Sequence, residues 1–227
     1  MLGLCDRWPT APCTDALPAV QWISALVRNL LGAILGFLAL PWCVDLLIDT
    51  VRAHQYLPRF PAATISGAVL GIGLLFLRKP NLLLHTLVHE ACHALACLLL
   101  FVRIRGVKAT DGRGGELEHD HAGPLRTTLI AIAPYVVPLL LGPALLARMW
   151  WHNDIPGAVL SGVVAFLYIT HLQGLALNVR LNFWPEGADL PKVGRFLSLV
   201  LIAGCLLLIT TAVIQVLWTG GAVRQGL

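Results

Sequence analysis

The residues with the clearest capacity for chemistry are His89, Glu90 and His93, which form an HExxH motif inside the apolar run 81–102. On a helix the two histidines share one face about one turn apart, so two ring nitrogens can meet one zinc ion while Glu90 reaches its bound water. The run is long enough to cross a bilayer, where ionisable residues are costly and mark functional sites. The motif therefore predicts a zinc hydrolase rather than polar residues that only pack between helices.

Other histidines could assist these three. His85 lies one turn before His89 on the same face, as either an alternative ligand or an outer partner, and the second role is the more common one. His119 and His121 could ligate metal, although a solvated loop pair is the commoner case. His171 belongs to a polar series in a later apolar run, which we expect to face the interior of the helix bundle.

The composition places the motif in a membrane protein, since 57% of the 227 residues are hydrophobic, 12% are charged and the mean hydropathy is +0.78. We predict an all-α polytopic protein, with residues 1–227 forming one domain. Five or six spans are expected, because the second run is short and the first contains Arg28 and Pro41. The candidate runs are 20–48, 62–77, 81–102, 125–150, 156–180 and 196–218.

Several segments are expected to position the motif. Gly32-xxx-Gly36 and Gly67-xxx-Gly71 are small-residue ridges that predict close packing around the motif helix. After that helix, apolar and basic residues alternate at strand period before a glycine cluster, which predicts a short β-hairpin or re-entrant strand. Pro134 and Pro138 should kink the fourth span and free backbone groups that need a partner or a cavity, and a cavity facing the metal would serve.

The basic residues flank the spans and form no patch for nucleic acid, so the net charge of +4 bears on membrane orientation. With six alternating spans, the loops after the first, third and fifth are the richest in arginine and lysine. We therefore expect those loops to be cytoplasmic, the N-terminus to be extracytoplasmic, and the active site to lie nearer the cytoplasmic face.

From about residue 81 to residue 195 the chain resembles the site-2 protease family of intramembrane zinc metalloproteases. It has HExxH in a span, a Gly-Gly strand-like segment, a Gly-Pro opening the next span, and a later Asn/Pro/Asp motif. Two departures are that Leu190 follows the aspartate where the family usually has glycine, and that the aspartate lies slightly closer to the asparagine. The chain looks like a compact member without a PDZ-like insertion.

The resemblance implies that His89 and His93 bind zinc, that Glu90 is the general base and that Asp189 is the third ligand. It also places Gly114 and Gly115 beside the substrate and matches Asn182 and Pro185 to the family's asparagine and proline. The implied activity is hydrolysis of peptide bonds in or near transmembrane segments of other proteins. The implied location is the lipid bilayer, expected to be a bacterial inner membrane, and the oligomeric state is left open.

Alternatives remain for the third ligand and for the function. Asp189 could instead cap the helix that leads into the sixth span. A third ligand from a distant glutamate would have to be Glu116, Glu118 or Glu186, all in predicted loops. A non-proteolytic scaffold or transporter with a metal site would not require Glu90.

Overall fold

The computed structural model describes residues 18–54, 57–77, 81–110, 114–151 and 154–219. Within these residues the chain forms eight helices and one two-stranded antiparallel sheet. In chain order the elements are α1 (Pro18–Ala53), α2 (Pro61–Leu77), α3 (Leu82–Leu99), β1 (Ile104–Thr110), β2 (Gly114–His119), α4 (Pro124–Val136), α5 (Leu141–Trp150), α6 (Asp154–Asn182), α7 (Asp189–Val193) and α8 (Arg195–Thr219).

Four helices are long and apolar enough to cross a bilayer, namely α1, α3, α6 and α8, and the bent pair α4 and α5 makes a fifth if it is one span. The angle within that pair is 69°, at a break that follows Pro134 and includes Pro138. The multi-span fold is therefore as predicted. The count of six is not confirmed, because α2 has only 17 residues.

The glycine ridge of α1 packs on α8. A methyl group added at Gly32 would lie 3.2 Å from the Cα of Leu197, and one at Gly36 would lie 3.4 Å from Val200. Residue numbers rise in the same direction on both helices along this contact, so α1 and α8 run parallel. The start of α1 consequently lies at the same end of the bundle as the start of α8.

The glycine ridge of α2 packs on α6 in the same manner. A methyl group at Gly67 would lie 2.0 Å from the carbonyl oxygen of Gly162, and one at Gly71 would lie 2.9 Å from Ile169. The two backbones touch, and α2 and α6 run parallel. The prediction that both ridges pack around the motif helix is therefore wrong, because they join α1 to α8 and α2 to α6.

The motif helix α3 runs antiparallel to α4. The ring of His89 lies against the ring of Tyr135, whereas His93, one turn later, bonds to the carbonyl of Ile130, which comes earlier in α4. The α4 and α5 pair runs antiparallel to α6, with Pro134 against Asn178 and Arg148 against Ser161. Hence α3 points the same way as α6.

Since α2 is also parallel to α6, α2 and α3 point in the same direction although they follow each other in the chain. Two successive full crossings would have to point in opposite directions. α2 and α3 therefore are not two separate full crossings of the bilayer. The chain reverses direction one time fewer than six alternating spans would require. The expectation that the N-terminal end lies opposite the site is wrong for the start of α1, which lies at the same end as α7 and the start of α8.

The predicted hairpin is present between α3 and α4. Val107 pairs with Leu117 and Ala109 with Gly115, and the register is interrupted between Ile104 and Gly106. The turn residues 111–113 lie outside the described part of the chain. The hairpin leaves β2 against α3, beside the HExxH motif.

Candidate metal centre

Three ligand atoms from two distant segments meet at one point. Nε2 of His89 lies 3.2 Å from Nε2 of His93, and each nitrogen lies 3.3 Å from Oδ2 of Asp189. Zinc bonds of about 2.0–2.1 Å in a tetrahedral arrangement separate neighbouring ligand atoms by about 3.3 Å. The triangle therefore fits one tetrahedral ion, with a fourth position for water. Within the described residues it is the one cluster of this kind.

Both histidines are oriented by hydrogen bonds at their other ring nitrogen. Nδ1 of His93 donates to the carbonyl of Ile130 at 2.7 Å, and Nδ1 of His89 donates to Oδ1 of Asn178 at 2.9 Å. An imidazole whose Nδ1 carries the proton presents a lone pair at Nε2. Such bonds fix the tautomer and ring orientation of metal-binding histidines.

Asn178 is itself held in place. It is buried in α6, and its Nδ2 donates to the carbonyl of Pro134 at 3.3 Å, which leaves Oδ1 to accept from His89. Asn182, the residue matched to the family asparagine, lines the cavity and donates to the backbone carbonyl of Asn178 at 3.1 Å. The resemblance matches Asn182 to the family asparagine, whereas the structure places Asn178 behind His89.

Asp189 is the first residue of α7, and the cap position before it is taken by Ala188 without a side-chain hydrogen bond. Leu190 and Val193 are fully buried and anchor this short helix, so the leucine that departs from the family pattern serves the packing. Burial raises the pKa of the Asp189 carboxyl, but hydrogen bonds and charge from the two histidines, when no metal is bound and their Nε2 atoms carry protons, outweigh it, and the pKa lies well below its usual range. Asp189 is therefore a carboxylate at neutral pH.

The second carboxylate oxygen of Asp189 faces a cation. Nζ of Lys192 lies 3.7 Å from Oδ1, one helical turn along α7, and its side chain is about half exposed. The two oxygens thus have separate partners, with Oδ2 toward the histidines and Oδ1 toward Lys192. This arrangement favours a single metal bond through Oδ2.

Glu90 lies in the wall of a cavity of about 590 Å³ that also exposes the three candidate ligands. Its side chain is buried, and the backbone of β2 lies directly against it at Gly115. Glu90 therefore lines the same cavity as the three candidate ligands. This is the arrangement that a general base for a metal-bound water requires.

Gly115→Ala should slow catalysis by displacing Glu90. The added methyl would lie 2.6 Å from Cγ of Glu90, whereas nonbonded carbon atoms prefer about 3.5 Å, so the side chain must move by about 1 Å. A shift of that size can lower a rate by on the order of 100-fold. The measurement is the rate of peptide cleavage with zinc content determined in parallel, and zinc content should not change.

The matched control is Gly106→Ala in β1, where the methyl would lie 3.7 Å from Glu118 in ordinary contact. It should leave the rate unchanged within about twofold, since surface changes of this kind are close to neutral. Equal rates for the two variants would show that Glu90 tolerates the displacement.

The remaining predicted residues divide between two cavities. His85 lies next to Asn178 and lines both the metal cavity and a neighbouring one of about 210 Å³. His171 lines only the neighbouring cavity, which His89 also lines, and it is not part of the ligand cluster. Gly114 pairs with Thr110 at the end of the hairpin. His119 lines the metal cavity, whereas sequence reasoning had favoured a solvated loop.

A family comparison agrees with this geometry. The model of the family described as peptidase M50B-like matches residues 62–176, which is half of the chain. The matched range contains His89, Glu90, His93 and the hairpin, while Asp189 lies beyond it and is brought to the histidines by the fold. No curated protein and no solved structure matches the chain. The chain belongs to the peptidase M50B-like family, in agreement with its resemblance to site-2 proteases.

Proposed function

We propose that the protein is an intramembrane zinc metalloprotease that hydrolyses peptide bonds in or near transmembrane segments of other proteins. The observation that carries the proposal is the triangle of His89, His93 and Asp189 ligand atoms, with spacings of 3.2–3.3 Å, beside Glu90. Two nitrogens and one carboxylate oxygen suit zinc. A site that only bound or carried metal would not need Glu90 at the open position.

In the proposed reaction the residues of the chain have separate tasks. A bound zinc ion supplies Lewis acidity, lowering the pKa of a water molecule towards about 7 and polarising the scissile carbonyl. Glu90 accepts the proton of the attacking water and then delivers it to the departing amine. The hydrogen bonds at Nδ1 of His89 and His93 keep both Nε2 atoms available throughout.

The substrate is proposed to bind as an extended segment along β2. Gly115 and Leu117 of this strand line the metal cavity, so a backbone placed beside them passes the ligand atoms. A transmembrane helix must unwind locally to present a peptide bond, and strand addition satisfies the backbone groups that unwinding frees. The absence of a side chain at Gly115 lets β2 approach Glu90 closely.

The hairpin end of the bundle is proposed to face the cytoplasm. The backbone N–H of Arg59 donates to Leu217 near the end of α8, so Arg52 and Arg59 lie at the other end, contrary to the sequence-based grouping. The hairpin end remains the more basic of the two, which is the rule for cytoplasmic faces. Among the described residues, those at this end include Arg28, Arg103, Arg105, Lys108, Arg126, Arg180, Lys192 and Arg195.

The proposal is tested with purified protein in detergent or vesicles. We expect close to one zinc per chain by metal analysis and cleavage of a susceptible single-span protein from a panel of such substrates. His93→Ala should lose both, because it removes one of three protein ligands. His121→Ala is the control, since His121 is exposed and does not line the cavity. Zinc bound at wild-type level in His93→Ala would move the metal site elsewhere.

A further inference from the structure

We propose that Pro134 and Pro138 are positioning residues for the metal centre, and that each orients one of the two histidines by leaving a backbone carbonyl of α4 without its helical donor. The inference deepens the proposed function and rests on it, because it concerns how the same metal site is held.

The first step follows from helix geometry. In an α-helix the carbonyl of residue i accepts from the N–H of residue i+4, and proline has no N–H to donate. Pro134 therefore leaves the carbonyl of Ile130 without its donor. Pro138 favours the extended backbone of Val137, where α4 ends, and this leaves the carbonyl of Pro134 among the last carbonyls of the helix, without a helical donor. The interruption is selective, since the intervening carbonyl of Ala133 accepts from the N–H of Val137 at 2.9 Å.

The second step concerns where the two carbonyls lie. Ile130 is 3% exposed, and Pro134 is buried as well, so bulk water does not cover their carbonyls. Buried backbone carbonyls are nearly always paired, because leaving one unpaired destabilises the fold. Each therefore needs a side-chain donor from a neighbouring helix.

The third step is that both donors belong to the metal centre. The freed carbonyl of Ile130 accepts from Nδ1 of His93 at 2.7 Å. The freed carbonyl of Pro134 accepts from Nδ2 of Asn178 at 3.3 Å, and Oδ1 of that amide then accepts from Nδ1 of His89 at 2.9 Å. One proline thus acts on His93 directly, and the other acts on His89 through Asn178.

The consequence is a fixed tautomer at both histidines. A carbonyl without a competing N–H offers its lone pairs to the imidazole alone, and this holds the ring plane as well as the proton on Nδ1. A backbone N–H at position 134 would share the Ile130 carbonyl with His93 and weaken that hold. The other role available to the two prolines is only to bend the span between α4 and α5, where the break is 69°.

The experiment compares Pro134→Ala with Pro41→Ala in purified full-length protein. Pro41 lies inside α1 and makes no contact with the cavity, so its replacement restores the same kind of helical N–H away from the site. Zinc affinity is measured by chelator competition, and the visible absorption of the cobalt-substituted protein reports ligand geometry. Loss of an outer partner typically weakens metal binding by about 10–100-fold. We expect that loss and a changed cobalt spectrum for Pro134→Ala, and neither for Pro41→Ala.

Pro138→Ala tests the proposed action on His89 through Asn178. It also serves as the second variant if Pro134→Ala does not fold. It should weaken zinc binding through Asn178 and His89 by the same order, about 10-fold or more. Wild-type zinc affinity and an unchanged cobalt spectrum in a folded proline variant would overturn the positioning role, even with a lowered melting temperature. Failure of the proposed function would look different, since the wild type itself would then bind no zinc.

Discussion

Glu90→Gln is expected to abolish detectable cleavage while zinc remains bound at wild-type stoichiometry. Glutamine has nearly the shape of glutamate and fits the same buried position, but its amide cannot accept a proton from the attacking water. General base catalysis contributes about 10²–10⁴-fold, so the rate should fall by that factor. The measurement is cleavage of a single-span substrate by wild type and variant, with zinc determined on the same samples.

Glu118→Gln is the matched control for this result. Glu118 is an exposed residue of β2 outside the cavity, so the same chemical change there should leave the rate within about twofold of wild type. Residual cleavage above a tenth of wild type in Glu90→Gln would remove the general base role. Loss of zinc in that variant would instead make Glu90 part of the metal site.

The sequence predicted those parts of the site that depend on local geometry. His89 and His93 share a face because four residues make about one helical turn, and this holds in any helix. The hairpin was equally local, since alternation at period two needs only neighbouring residues. Completing the triangle of ligand atoms required one contact between the HExxH helix and a distant segment. The resemblance to site-2 proteases supplied Asp189 as the candidate third ligand.

The parts that the sequence could not provide depend on packing between distant elements. Asn178 and Asn182 lie one turn apart on α6, and only the placement of α3 decides that Asn178 meets His89. The direction of α2 is likewise decided by the contact of Gly67 with Gly162, which an apolar run does not encode. The six alternating spans predicted from the sequence therefore placed the start of α1 at the wrong end of the helix bundle.

The carbonyls of Ile130 and Pro134 illustrate a further limit. The two prolines of the fourth span predict freed backbone groups that need partners, but a backbone acceptor carries no residue type that a motif can name. Only the fold shows that His93 and Asn178 are the donors. Metal sites that use backbone acceptors behind their ligands will be under-described by sequence motifs for this reason.

The second large effect is expected for Asp189→Asn, which should weaken zinc binding by about 100-fold or more and abolish cleavage. The amide oxygen has no charge, and loss of an outer partner alone already weakens binding by about 10–100-fold. The competing role was a helix cap, at which asparagine serves as well as aspartate. The structure gives the cap position of α7 to Ala188, and Oδ2 of Asp189 lies 3.3 Å from both histidine nitrogens.

Glu186→Gln provides the control within the same segment. Its side chain is 88% exposed and pairs with Arg195 at 2.9 Å, so removing that charge should change neither zinc affinity nor cleavage. Zinc affinity is measured by chelator competition on both variants, with cleavage measured alongside. If Asp189→Asn bound zinc as the wild type does, Asp189 would not be a ligand despite its position. The third bond to the metal would then have to come from another group in the cavity. His85 and His119 also line it and are histidines, a common type of zinc ligand.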